Sequence, residues 1–250
     1  MDTRQRYFIH FAFKGTSYHG WQIQPNAVTV QGVLDKAMST VIRENIVTTG
    51  AGRTDTGVHA KFFMAHFDSD NKGLENDQGL IYRLNSVLPS DISVYKIFKV
   101  GQDAHARFDA TSRTYEYRIS RLNDPFEKEY SWYIYDSLNL EKMNEAASWL
   151  LKVKDFTSFG KYHTNVKTNI CHIYFSEWNE DGHLLVFTIR ADRFLRNMVR
   201  AIVGTLVLIG RKNLDISEYK NTIAQKVKVS NTAPPQGLFL TNIEYHVNII

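Results

Sequence analysis

At 250 residues, with 43% hydrophobic and 22% charged side chains, the chain is long enough to bury a substantial core and too apolar for a disordered polymer. Its formal charge of +4 permits an anionic partner without requiring one. The single cysteine, Cys171, excludes an internal disulfide, has no CxxC or Cys/His spacing around it that would suggest a structural zinc, and fits a reducing compartment.

The opening "MDTRQRYFIHFAF" carries two arginines but no small-and-apolar run leading to a cleavage site, so it does not read as a signal peptide. Its aromatic part, "RYFIHFAF" (6–13), predicts a buried strand that runs into the turn cluster "KGTSYHGWQ". "VQGVLDKAMSTVIRE" places Val33, Leu34, Ala37, Met38, Val41 and Ile42 at helical spacing, an amphipathic helix packed on a sheet. "NIVTTGAG" predicts a strand entering the segment "GAGRTDTGVHA" (50–60), and "KFFMAHFDS" (61–69) a strand leaving it. "LIYRLNSVLP" (80–89) reads as a short helix stopped by Pro89, and "ISVYKIFKV" (92–100) as a strand.

"GQDAHARFDATS" (101–112) looks like a crossing between two halves, 1–104 and 105–250. In the second half, "RTYEYRI" alternates with period two, Tyr115, Tyr117 and Ile119 on one face and Thr114, Glu116 and Arg118 on the other. A helix in "NLEKMNEAASWLLK" follows, then strands in "TNICHIYFSEW" and "HLLVFTIRA", a helix over 193–210 in "RFLRNMVRAIVGTLVLIG", and a closing strand in "GLFLTNIEYHV". Strands mixed with one or two helices in each half predict an α+β fold rather than a doubly wound sheet. The longest apolar run, "AIVGTLVLIG" (201–210), is about half of what a bilayer-spanning helix needs, so a cytoplasmic protein with no membrane partner is expected.

The segment 50–60 sets a cation, an anion and an imidazole among small, turn-making residues. Gly50-Ala51-Gly52 starts like a dinucleotide fingerprint, but Asp55 stands where the third glycine belongs and would repel a pyrophosphate. Asp55 reads either as a turn cap or as a catalytic carboxylate, the second favoured by Arg53, since a nearby cation stabilises the ionised form. Arg53 reads as a solvated loop cation or as a wedge that helps a nucleotide leave its stack. His59, with no partner evident, reads as structural.

Between 190 and 212 the cations are Arg190, Arg193, Arg196, Arg200, Arg211 and Lys212 against the one anion Asp192, which is where a polyanion is expected to touch. At about 100° per residue, Arg193, Arg196, Asn197, Arg200 and Gly204 share one side of the predicted helix, and Phe194, Met198, Ile202 and Leu206 the other. The stripe reads as a wet face or a nucleic-acid face; Gly204 costs about 1 kcal/mol in a helix and makes sense where another backbone or a ligand approaches. Tyr115 and Tyr117 read as core or, for one ring at a sheet end, as support for a stacked base.

"GRTDTGVHA" resembles the signature of the TruA-type tRNA pseudouridine synthases, in which the aspartate after Arg-Thr is catalytic. "KGTSYHGWQIQP", "HARFDATSRTYEYRI", "DFTSFGK", "RFLRNMVRAIVGTL" and "APPQGLFL" resemble further blocks of that family in the same order, so the likeness runs from about residue 8 to 245. It implies the pseudouridine synthase fold, two α+β halves sharing an extended, mainly antiparallel mixed sheet with helices outside and a central cleft. By residue it implies Asp55 as the catalytic group, Arg53 as an aid to base extrusion, Tyr115 under the uracil, Arg200 as the cation for Asp55 and Leu238 as an apolar wall, with Arg193 and Arg196 on the RNA. It also implies a homodimer acting on uridine at positions 38, 39 or 40 of the tRNA anticodon stem-loop, with no metal and no cofactor. Two departures stand outside the signature: Phe13-Lys14-Gly15-Thr16 replaces Tyr-Asp-Gly-Thr, and Cys171 replaces an expected arginine.

That reaction breaks the bond from ribose C1′ to uracil N1, turns the base and rejoins it through C5. A glycosidase that ends with water commonly uses two carboxylates. Here no water is consumed, so one aspartate in a water-excluding pocket suffices. Attack at C1′, addition to C6 and proton removal at C2′ all remain open, a direct role at the ribose being favoured. The rivals are a silent RNA-binding protein, which has no use for an anion among phosphates, and a nucleoside hydrolase, which needs a second acid near Asp55.

Overall fold

The computed structural model describes residues 4–161 and 168–246; residues 1–3 of the opening segment and Val247 of the expected closing strand lie outside them. The elements in chain order are β1 (Gln5–Phe13), α1 (Val30–Ile42), β2 (Thr49–Gly50), β3 (His59–Ser69), α2 (Leu80–Val87), β4 (Ile92–Lys99), β5 (Ala110–Ser120) and β6 (Trp132–Tyr133). They continue with α3 (Leu140–Trp149), β7 (Ile173–Asp181), β8 (Leu184–Ala191), α4 (Met198–Gly210), α5 (Ile216–Ala224) and β9 (Leu238–Tyr245). The chain divides into two compact units, Met1–Thr111 with Leu240–Ile250, and Ser112–Phe239. Among the described residues no helix is long and apolar enough to cross a membrane.

In the first unit the strands lie in the order β4-β1-β3-β9, with β2 beside β3. β1 pairs antiparallel with both β3 and β4, setting Phe8 opposite His66 and Phe98, and β2 pairs antiparallel with β3. Tyr7, Ile9, Phe11 and Phe13 are buried on one face of β1, as the period of two demands, and Phe8 on the other face is buried as well. The rings of Phe11, Phe13, Trp21 and Phe63 pack at tilted angles of 32° to 60° with centroids 4.7 to 6.2 Å apart. α1 is capped by the Thr29 hydroxyl, which accepts from the Gly32 N–H, and buries Val30, Leu34, Met38 and Ile42 along one stripe.

The strand expected over "NIVTTGAG" shrinks to Thr49–Gly50. The preceding backbone is claimed by α1 instead. Thr48 donates its N–H (3.1 Å) and hydroxyl (2.6 Å) to the buried Asp35 carboxylate, Gln31 donates to the Thr48 carbonyl, and the Ile46 N–H goes to the Ser39 hydroxyl. Groups satisfied in this way are not available to a sheet ladder.

In the second unit β8 lies between β5 and β7, antiparallel to both, and the short β6 joins β5 in parallel. α3 packs on α4, on β7 and on α5. The α+β expectation holds in each unit. α5 and β6 have no counterpart in the elements read from sequence, although α5 has a legible start: Asp215 accepts from the Ser217 N–H at 2.8 Å, and Glu218 follows three residues later, a capping-box pattern.

The helix expected over 193–210 starts only at Met198, and the reason lies in the residues before it. Asp192 Oδ1 accepts from the N–H groups of Arg193 (2.7 Å) and His172 (2.8 Å), the buried Leu195 packs where a side chain on Gly160 would sit, and Arg196 O accepts from the Lys161 N–H at 3.2 Å. Asn197, with φ of 66°, then turns the chain into α4. Arg193 and Arg196 therefore share no helical face with Arg200, and α4 is no basic stripe: all its residues but Arg200 and Leu208 are buried.

Candidate active site

Arg53 and Asp55 lie on irregular backbone between β2 and β3; Arg53 is exposed and Asp55 half-buried. The loop is anchored at its start, where the Ala51 N–H donates to the Met64 carbonyl at 2.8 Å. Gly50 is needed there because a Cβ would meet the Trp21 ring at 2.5 Å and Phe63 at 2.9 Å. Residues 15–21 hold the rest. The Trp21 N–H donates to the Thr54 carbonyl and the Gly57 N–H to the Tyr18 carbonyl, both at 3.3 Å, while the Val58 N–H closes a turn on the Asp55 carbonyl at 3.2 Å. Gly15 and Gly20 allow this approach, since a Cβ on either would overlap a carbonyl oxygen, that of Val58 or of Thr54.

His59 is buried, and its Nδ1 accepts the Gly15 N–H at 3.1 Å, so its proton sits on Nε2 and the ring braces the backbone at Gly15. Tyr18 is a second brace. Its hydroxyl donates to Asp91 Oδ1 at 2.6 Å, and burial, then that hydrogen bond, raise its pKa. Gly15, Tyr18, Gly20 and Trp21 were not singled out from sequence as supports of the Asp55 loop; their signal was the Gly/Ser/Thr cluster itself, which reads as a turn without saying what it touches. Of the departures at 13 and 14, Phe13 is buried among Phe11 and Phe63, and Lys14 donates its N–H to the Asp91 carbonyl.

In the second unit the two tyrosines of β5 part company. Tyr117 is fully buried, its hydroxyl donates to the Pro234 carbonyl at 2.8 Å, and burial raises its pKa. Tyr115 is half-exposed, its ring edge-on to Phe194 at 5.2 Å and 88°. Leu238 is buried at the start of β9, directly after Gly237, whose backbone lies so close to Tyr117 that a Cβ would meet the ring at 2.7 Å.

Arg200 is half-buried on the first turn of α4 and donates Nε–H to the Ala233 carbonyl at 2.7 Å, while the Ala233 N–H returns to the Arg200 carbonyl at 2.9 Å. One turn on, Gly204 makes room for Asn231, whose carbonyl oxygen a Cβ would meet at 2.7 Å. The approaching group inferred from this glycine is thus the chain's own backbone at 231–233. Arg193 is half-exposed and Arg196 exposed. Cys171 is buried, and burial pushes its thiol up to about 12, so it is an inert packing residue. Among the described residues no group of three or more His, Cys, Asp or Glu side chains could hold a metal.

The sequence model of the tRNA pseudouridine synthases matches residues 9–109 and 146–246. A Bacteroides fragilis protein named tRNA pseudouridine synthase A is 53% identical over 244 residues, 96% of each chain. Proteins of the same name are 52% identical in Bacteroides thetaiotaomicron, over 98% of this chain and 92% of the relative, and 40% identical in a Thermoanaerobacter species, over 93% and 96%. Matched along nearly its whole length, with the braced Asp55 loop inside the first matched segment, the chain belongs to the tRNA pseudouridine synthase family of isomerases.

Proposed function

We propose that this chain converts uridine to pseudouridine in the anticodon stem-loop of tRNA, at positions 38, 39 or 40, acting as a cytoplasmic homodimer without metal or cofactor. Asp55 is the catalytic carboxylate and acts directly at the ribose. Arg53 aids extrusion of the nucleotide, Tyr115 stacks under the uracil, Arg200 and Leu238 complete the contacts to it, and Arg193 and Arg196 bind RNA phosphates. The N-terminal half, 1–104, carries the catalytic loop, and 105–250 carries the stacking tyrosine and the basic segment.

The observation that carries this reading is the bracing of Asp55. Its loop donates backbone N–H groups to the Tyr18 and Met64 carbonyls and accepts one from Trp21, so the backbone that carries the carboxylate is braced, as a group that must meet a reacting carbon requires. The half-exposed Tyr115 ring supports a stacking role that the buried Tyr117 could not fill. In the proposed reaction the N1–C1′ bond breaks, the uracil turns, C5 bonds to C1′, and the C5 proton passes to Tyr115 or water while N1 gains a proton, so atoms balance with nothing consumed.

The test is incubation with unmodified tRNA transcripts followed by positional mapping of pseudouridine. Asp55→Asn is expected to bind tRNA within a few-fold of the native chain and to form no product. Turnover retained in that variant overturns the assignment.

A further inference from the structure

Phe108 is 73% exposed, yet it stands on a turn that is unusually firmly built. The Ala106 N–H donates to the buried His66 Nδ1 at 3.1 Å, the Tyr245 hydroxyl donates to the Ala106 carbonyl at 2.6 Å, and Arg6 Nη1 donates to the Ala104 carbonyl at 3.1 Å. Within the turn, the His105 N–H donates to Asp109 Oδ2 at 2.7 Å, and the N–H groups of Arg107 and Phe108 both point at His105 Nδ1, at 3.1 and 3.3 Å. The His105 ring lies 4.2 Å from the Phe108 ring, and the Arg107 guanidinium 5.6 Å from its centroid.

Single exposed apolar side chains need no explanation as such. An aromatic ring held by a rigid turn, with an arginine over it, is a different object: its ordering entropy is already spent before a partner arrives. A ring with a guanidinium beside it is the chemistry that receives unpaired bases, the ring stacking on the base and the cation serving the phosphate. Phe126 shows the contrast. It is 87% exposed, but its turn holds Asp124, Glu127 and Glu129 against the single cation Lys128, and among the described residues no guanidinium lies over its ring as Arg107 lies over Phe108.

We propose that Phe108 is a stacking platform for an unpaired base of the tRNA substrate other than the reacting uridine, with Arg107 on the adjoining phosphate. The inference rests on the reading of this chain as acting on tRNA, and adds to it a second point of contact that sets how the substrate is held.

The experiment measures tRNA affinity by filter binding with an unmodified transcript across a salt series, so it reads without turnover. Phe108→Ala and Phe108→Leu are expected to weaken binding roughly ten-fold or more with an unchanged salt slope, and Phe108→Trp to stay near native. Arg107→Ala is expected to weaken binding and lower the salt slope by about one. Thermal midpoints of the Phe108 variants should match the native chain, because the ring contributes little buried area, and the Leu variant serves should the Ala variant fold poorly. Native affinity in Phe108→Leu overturns the proposal, as does a drop in sedimentation coefficient with tRNA affinity intact, which would make the ring a protein contact. If the native chain binds tRNA but makes no pseudouridine, the proposed activity fails while these affinities still decide the platform.

Discussion

Replacing Gly20 by alanine should uncouple fold from activity. Gly20 has φ of 84°, and its neighbour Trp21 donates to the Thr54 carbonyl. A Cβ at position 20 would overlap that carbonyl oxygen and come within 3.2 Å of the Asp55 carbonyl carbon. An L-residue held in this left-handed backbone costs about 1–2 kcal/mol, and overpacking adds about 1–3 kcal/mol. For a chain of this length about 1 kcal/mol moves the melting temperature by roughly 2–4 °C, so a fall of roughly 4–20 °C is expected. Relief of the overlap moves the backbone of Thr54 and Asp55 by on the order of 1 Å, a displacement able to cost about 100-fold in turnover. Gly52→Ala is the control: no heavy atom lies within 4 Å of its would-be Cβ, and its φ is not positive. Thermal denaturation and single-turnover pseudouridine formation on one tRNA transcript check both variants. Native melting and native rate in Gly20→Ala, or an equal melting loss in Gly52→Ala, would refute the reasoning.

Gly204→Ala pits helix propensity against space. In an open helix the change gains about 1 kcal/mol, but here the Cβ meets Asn231 O at 2.7 Å, so the gain is cancelled and net destabilisation of up to about 2 kcal/mol is expected in denaturant titration; a stabilised variant would contradict the close approach of 231–233. A pair of buried groups should oppose each other in acid. Burial raises the Asp35 carboxyl to about 6 despite two bonds from Thr48, and burial, then His105 and Arg6, lower His66 to about 4 against the pull of Asp68 and Asp109. The raised carboxyl contributes stability present in acid and lost as pH rises through about 6. For His66 the unfolded chain binds the proton more readily, so stability is lost as pH falls from about 6.5 towards about 4. Asp35→Asn should therefore steepen the acid loss of stability between pH 6 and 4, and His66→Gln should flatten it. Denaturant midpoints at several pH values test this, and unchanged slopes in both variants would dismiss the burial argument.

Read from sequence, β1, α1, β3, α2, β4, β5, α3 and β8 fall within a few residues of their positions in the structure, because each is long enough for its own apolar period to outweigh its surroundings. Elements whose backbone groups find other partners did not follow their pattern. β2 is short because α1 side chains take up Thr48, and α4 starts late because Asp192 and Lys161 claim the groups before it. The segment 50–60 was legible as unusual because charged residues among glycines have no packing purpose, and the likeness of its residues to a family signature could be seen without coordinates.

What the sequence by itself determined was the α+β class, the family and the loop that carries Asp55, all written in local patterns and residue identities. Only the tertiary structure decided that Tyr117 is core while Tyr115 stays half-exposed, since a period of two puts both on one face and the cover over Tyr117 comes from Pro234 and Gly237, more than a hundred residues away. It likewise decided which glycines matter: Gly15, Gly20 and Gly50 are pressed against another stretch of chain while Gly52 faces open space. The physical reason is the same in each case. Periodicity records how a segment divides between core and water, but a close approach is a property of two segments, and no single stretch of sequence contains it.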